Sequence, residues 1–541
     1  MGKYMGEEVV FTRRASGLVR ELSWLDIAIW AIATPAGSGM TYYAVKILGD
    51  PAAYGGSLPL AFFIAGLMFL PLVIAFAMIT TSFPRSNSLY VFVSRTLHPV
   101  LGFLPFWYFI IGGGCAMTAG FMMVVGLKAL SGPLVVASAL TGDPTLLRIG
   151  EAASDPNVQL IVALMLVALL WIINYLGMKV IKWVLRIITI VPMTVTILVL
   201  AYLAILGGNA GLSKWDQVFG AGVAEEIMRV AYQGDPSLGV QPLTRVDMWS
   251  GTYEMLLWTL WAWTGLEIVT FVGSEVKDPS KSYIKGYITG FTLVMVLYLL
   301  NAFIIPWVFN YDFLAAYAYL KSEYPDALSK IMGAYALPDP SVPLVASVAV
   351  GNAAIAVLIG LSYFLWYVNT ALPVWVGGVR GFFSMAFDRV LPEKMAEVSP
   401  RWAAPTWANH VTALIALFGA VMTYLENLGY ELATALISFL DFSLFIFVWP
   451  VGLALMLIPW WKPELFKRMT ITSPVTATVV GAIVFALGWY FMIYTSYSQP
   501  LIVLVNITVG LIGLIIFTAM SARNRSRGIE PEKIYGEIPP A

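Results

Sequence analysis

Two short segments carry the groups that could do chemistry. The first is Thr34-Pro35-Ala36-Gly37-Ser38-Gly39-Met40, inside the apolar run 24–47. Proline removes a backbone donor and two glycines loosen a helix. In hydrocarbon, the freed N–H and C=O groups must be satisfied by protein, water or a ligand. The N-terminal end of a half-helix after such a break favours a carboxylate. The competing use of the same residues is close helix packing over Gly and Ser. The second segment is Trp261-Ala262-Trp263-Thr264-Gly265-Leu266-Glu267, inside the run 248–274. Here a glycine lies beside an acid, and a carboxylate at that depth needs partners or a cavity. Glu267 is either a functional group or a structural acid bonded to loosened backbone. Trp261 and Trp263 offer stacking and cation–π faces, or simply fill the core.

The elements that must position these residues are membrane spans. A helix needs about 20 apolar residues to cross the hydrocarbon. Such runs fall at 24–47, 57–80, 99–127, 158–176, 183–206, 248–274, 283–309, 343–375, 406–425, 433–458, 474–494 and 500–519. That gives about twelve transmembrane helices in an all-α membrane protein. Composition agrees: 59% of residues are hydrophobic and 11% charged, too few charges to cover a water-facing surface. With the N-terminus placed in the cytoplasm, 23 of the 31 Lys and Arg fall on cytoplasmic segments. The positive-inside rule therefore puts both termini in the cytoplasm of a multi-pass cell-membrane protein. The stretches 128–157, 207–247 and 310–342 become outside loops able to carry short surface helices. The tails 1–23 and 523–541 read as polar, the latter as flexible.

Several functions are excluded. The net charge is zero, so no global field points to nucleic acid. The single cysteine, Cys115, and the two distant histidines, His98 and His410, give no metal site and no cofactor. No catalytic set and no nucleotide-binding loop is visible, so an enzyme is not expected.

The interrupted spans are the first and the sixth, five apart. An odd-numbered unit followed by its copy must insert with opposite orientation. That is the inverted-repeat plan of secondary transporters, with substrate at the midplane. The expected units are 24–206 and 248–458, joined by the loop 207–247, with two further helices within 474–522. Three other features are candidates. Asp441, within the tenth span, either pairs with a cationic substrate group or holds a neighbouring helix. Glu254 is expected at the outer interface. Gly112-Gly113-Gly114 in the third span serves either tight packing or room for a substrate side chain.

The chain resembles the amino acid–polyamine–organocation permease superfamily over most of its first ten spans. Four motifs carry the resemblance: Thr34 to Met40; Phe83-Pro84-Arg85 through Arg95 and Leu101-Gly102-Phe103; Trp263 to Glu267 followed by Glu275-Val276-Lys277-Asp278-Pro279; and Arg380, Phe387-Asp388-Arg389-Val390-Leu391-Pro392 with Pro405. The family usually has Gly-Gly at Asn87-Ser88 and often Gly at Arg389.

The resemblance implies a five-plus-five inverted-repeat core and alternating access for amino acids or related amines. It implies that Gly37, Ser38 and Gly39 bind the substrate carboxylate. The broken backbone at Trp263, Thr264 and Gly265 would face the amino group, with Trp261 covering the substrate. Glu267 would be the gate or proton-sensitive acid. The position of a fifth-helix lysine found in some members falls on Pro192. Thr370 falls near the hydroxyls that bind sodium in others, so the coupling ion, H+ or Na+, stays open. A channel or sensor on the same scaffold is the alternative. Gly114 stands beside the site, and the oligomeric state is not assigned.

Overall fold

The computed structural model of the chain describes residues 11, 15–333, 335, 338–470, 473–496 and 500–540. Of the N-terminal tail, residues 1–10 and 12–14 lie outside the described residues. The described chain is helical almost throughout, with four isolated β-bridges. Among the described residues, ten helices are long and apolar enough to cross a membrane by length and composition. Of the twelve expected spans, the two that fall short are the first and the sixth. The first has the length but not the apolarity, and the sixth is only 15 residues before its helix ends. The first helix runs Trp24–Thr41, and a four-residue turn of helix, Tyr43–Lys46, follows after Tyr42. The sixth is a helix Met248–Ala262 that ends at Trp263, then 3-10 turns at Leu266–Phe271 and Gly273–Glu275.

Some boundaries differ from those expected. The third span is itself divided at Gly112–Cys115, between helices Pro99–Ile111 and Ala116–Gly126. It then continues as Lys128–Thr141, in a stretch expected to be loop. The eighth span is not 343–375. A separate short helix, Val342–Val350, precedes a 35-residue helix Ala353–Phe387. The tenth is divided near Ile446, between Glu431–Phe445 and Val448–Trp461. Among the outer segments, Tyr311–Glu323 is no surface helix. Residues 313–320 are all buried, packed beneath helix Val223–Gln233.

The first helix lies against the seventh, Pro279–Phe309, and the eighth. Gly290 makes the first of these contacts possible, because a Cβ there would press on Ala31 Cβ and Ala28 O. Asn87 and Arg389 both hold left-handed backbone, at φ +53° and +61°. These are the two places where the resembled family carries glycine. Asparagine tolerates that region with a side-chain bond, and Asn87 Oδ1 accepts from Tyr90 N.

The face that carries both termini is closed by paired charges. Arg380 Nε and Nη2 each lie 2.7 Å from an oxygen of Glu275, and the pair is 1% and 0% exposed. Such a pair is tolerated in low dielectric only with this kind of complete bidentate geometry. Arg95 pairs with Asp388, which also accepts from Tyr90 Oη at 2.8 Å. Arg186 pairs with Asp26 at the base of the first helix, 2.7 Å. Glu21 and Leu22 donate backbone N–H to Glu275 O, tying the entry of the first helix to the exit of the sixth.

The C-terminal tail, expected to be flexible, is packed. Ile534 and Tyr535 are buried, in a short helix Pro531–Gly536. The Arg95 guanidinium stands 5.1 Å over the Tyr535 ring and donates to Glu537 O. Arg85 donates to Pro539 O, and Asn524 donates to Arg389 O. Its apolar and carbonyl groups satisfy arginines that polarity alone did not reveal as partners. Deleting residues 528–541 should therefore lower stability by about 1–3 kcal/mol, from one cation–π contact and charged hydrogen bonds. Thermal unfolding of detergent-purified protein measures this. Native-state amide exchange at residues 534–537 as fast as in unstructured chain would contradict the docking.

Candidate functional site

The site begins at a helix turn that a side chain from elsewhere enters. In a regular helix Gly37 N–H would bond to Ala33 O. Here the Thr370 hydroxyl, from the eighth helix, stands between them. It accepts from Gly37 N at 3.1 Å and donates toward Ala33 O at 2.9 Å, with Trp366 O also at 3.1 Å. An inserted side chain is one of the few causes of a real helix distortion. Pro35, two residues before Gly37, carries no donor. Tyr298 Oη, from the seventh helix, lies 2.6 Å from Pro35 O and 2.7 Å from Ala262 O. One phenol thus ties the first helix to the end of the sixth.

The sixth helix ends by the same logic. Gly265 has φ +110°, a conformation that suits glycine and few other residues. Its N–H, freed by the turn, is taken by both carboxylate oxygens of Glu267, at 2.9 and 3.0 Å. Thr264 Oγ1 donates to Trp261 O at 2.7 Å. The third span adds its own interruption. Gly113 N donates to Ser443 Oγ of the tenth span, and Thr118 Oγ1 donates to Gly113 O at 2.6 Å.

These interruptions face one another across two cavities. The inner one holds about 20 Å³, room for about one water. Interrupted backbone and its splints form its wall: Gly37, Gly114, Thr264, Gly265, Glu267 and Thr370. The outer one is a vestibule of about 460 Å³, within the usual range for small-molecule sites. Tyr42, Tyr43, Trp258, Tyr367, Glu426 and Asp441 are among its walls. Ser38 and Trp261 line both cavities, so they form the partition between them. The Trp261 indole is held there by Asp441, whose Oδ1 accepts from Nε1 at 2.8 Å.

Most of the residues singled out in the sequence meet here: Gly37, Ser38, Gly114, Trp261, Thr264, Gly265, Glu267, Thr370 and Asp441. Two do not. Trp263 is fully buried away from the cavities, 4.9 Å from Phe291 and 5.2 Å from Tyr298 by ring centroids. Gly39 packs on Tyr298, where a Cβ would collide with the phenol ring. The backbone at Gly37–Gly39 also stays within the helix, which is interrupted only at Tyr42. The splint Tyr298, the vestibule tyrosines and Ser443 were not found from sequence. Nothing in an apolar run marks a tyrosine as facing a break 263 residues away.

A helical membrane protein with interrupted spans around a cavity is the architecture of a transport protein. The model of a family described as amino acid permease matches residues 22–517, and the chain belongs to that family. Among curated proteins, a branched-chain amino acid permease of Bacillus subtilis is 24% identical over 450 residues, covering 81% of this chain and 83% of the relative. A methylthioribose transporter of the same organism is 23% identical over 436 residues, 79% and 81% of the two chains. An uncharacterized transporter of Mycobacterium tuberculosis is 24% identical over 423 residues, 76% and 77%. The protein is a multi-pass membrane transport protein that handles a small molecule.

Gly265→Ala tests the site's backbone. The added Cβ would meet Thr34 Cβ at 2.7 Å and Thr34 carbonyl carbon at 2.9 Å, in a backbone region alanine avoids. A loss of at least about 1–3 kcal/mol is expected from the conformation alone, read as a lowered unfolding midpoint. An unchanged midpoint would show that the turn is not held as described.

Proposed function

We propose that the protein is a secondary carrier moving amino acids or related amines by alternating access, described in an outward-open state. One observation carries this reading. Trp261 and Ser38 separate a large vestibule from a small inner space lined by interrupted backbone. Passage requires that partition to move. The terminal face is meanwhile sealed by Arg380–Glu275 and Arg95–Asp388. Access from one face with closure at the other suits a carrier rather than a channel, and the relatives named above are all permeases or transporters. The charge bias supports a cytoplasmic place for the sealed face. The two five-helix units, 24–206 and 248–458, would supply the paired first and sixth spans of an inverted repeat.

In this reading the substrate carboxylate is received by the Ser38 hydroxyl and by Gly37 N–H as Thr370 releases it. The amino group turns toward the carbonyls at the end of helix Met248–Ala262. Trp261 covers the bound molecule. Glu267 links occupancy to protons. Ionised, it holds Gly265 N–H with two oxygens; protonated, it loses acceptor capacity there and gains a donor. The hydroxyl of Thr370 is already engaged by three backbone groups. That supports a splint at this position over a sodium ligand, and supports proton coupling.

Reconstituted protein should show saturable uptake and counterflow of at least one amino acid or amine from a broad panel. Glu267→Gln should retain exchange while flattening its dependence on pH. Uptake that keeps the parental pH profile in this variant would remove Glu267 from coupling. Absence of any saturable flux would overturn the carrier reading.

A further inference from the structure

The vestibule holds a carboxylate that the fold leaves without a countercharge. Asp441 lies on helix Glu431–Phe445, half-buried, with its side chain on the cavity. Its side-chain hydrogen bond is the one from Trp261 Nε1. Among the described residues no Lys or Arg lies within 4.0 Å of it. A carboxylate has about four acceptor positions, and an ionised one inside a membrane protein demands pairing or a cavity. The other acids on this cavity are differently placed. Asp339 is 3.9 Å from Lys321, and Glu426 lies within the field of Lys128. Lys46 is exposed at the mouth.

The surroundings of Asp441 are those of a cation receptor. The Tyr43 ring stands 5.9 Å from Trp258 and 6.1 Å from Trp261, the latter edge-on at 75°. Three aromatic residues thus meet beside the carboxylate, and such faces attract ammonium and guanidinium groups. A separate observation points to a ligand. The Tyr42 hydroxyl, on a residue that lines the same cavity, is buried without a hydrogen-bond partner. A buried hydroxyl left unpaired is costly, and this one can accept from an N–H donor that reaches it.

We infer that the vestibule selects a substrate with a positively charged end, an ammonium or guanidinium, received by Asp441 among Tyr43, Trp258 and Trp261. This rests on the carrier reading and narrows its substrate. The cation would draw on the oxygen that now holds the Trp261 indole. Its arrival at Asp441 would therefore loosen the partition that the substrate must pass. The same chemistry is offered by a cationic amino acid and by a simple diamine.

The test is binding to full-length protein in nanodiscs, measured calorimetrically with near-isosteric pairs: L-arginine against L-citrulline, and L-lysine against L-norleucine, with cadaverine alongside. The charged member of each pair should bind at least about tenfold tighter. Asp441→Asn should collapse that ratio by about ten- to a hundredfold, the range of a charge-assisted bond, and Asp441→Glu should restore most of it. Tight lysine with weak cadaverine identifies an amino acid, and the reverse a diamine; both uphold the receptor. Neutral members binding equally or better overturn the inference while leaving the carrier intact. Binding by none of these ligands, with no saturable uptake from the wider panel, overturns both. Should the Asn variant fail to fold, the unmodified protein's paired affinities still decide.

Discussion

A backbone polar group in hydrocarbon must find a partner within the protein, and this constraint organises the whole molecule. Pro35 and Gly265 each leave such groups without a helical partner inside a span. The fold answers with side chains brought from other helices: Thr370 into the first helix, Tyr298 between the first and sixth, and Glu267 back onto Gly265. Each answer costs the fold a polar side chain buried at depth. Together they hold open a region where backbone, rather than side chain, forms the wall. That region is the inner cavity. The candidate site is thus a by-product of satisfying the interruptions.

The two ends of the molecule are built unlike each other. The terminal face is held by arginine–carboxylate pairs with nearly no exposure, reinforced by the C-terminal tail lying over Arg85 and Arg95. The opposite face is an aromatic vestibule whose charged groups are loosely paired. Buried pairs of this kind contribute less to net stability than to specifying one arrangement. In the proposed alternating access they would suit a face that closes and opens, since both partners regain water when they part. Asp26–Arg186 and the bridge of Leu22 to Val276 place the first and sixth spans under the same closure.

Much of the site was legible in the sequence, and the rest was hidden for definite reasons. Proline and paired glycines announce a broken span whatever surrounds them, and an acid beside them announces a cavity. Helical geometry could have divided the candidates further. Residues two apart in a helix point about 200° apart, so Trp261 and Trp263 cannot both face one cavity, nor Gly37 and Gly39. The structure resolves each pair that way, with Trp263 and Gly39 both turned to Tyr298. Partners remote in sequence were not legible. Thr370 was marked for another role, Tyr298 carried no mark, and the tail's docking depends on arginines some 440 residues earlier. The division of the third span was present as three glycines but read as tight packing or as room for a substrate side chain, and Gly113 does pack against the tenth helix.

The central claim is that the partition at Ser38 and Trp261 is where substrate is held. With Cys115 buried as the chain's only cysteine, Ser38→Cys in a Cys115→Ser background gives a single reporter on that partition. In oriented proteoliposomes, a membrane-impermeant thiol reagent should label it from the face opposite the termini, and a transported substrate should slow the labelling. Labelling from the terminal face alone, or a rate indifferent to substrate, would contradict the account.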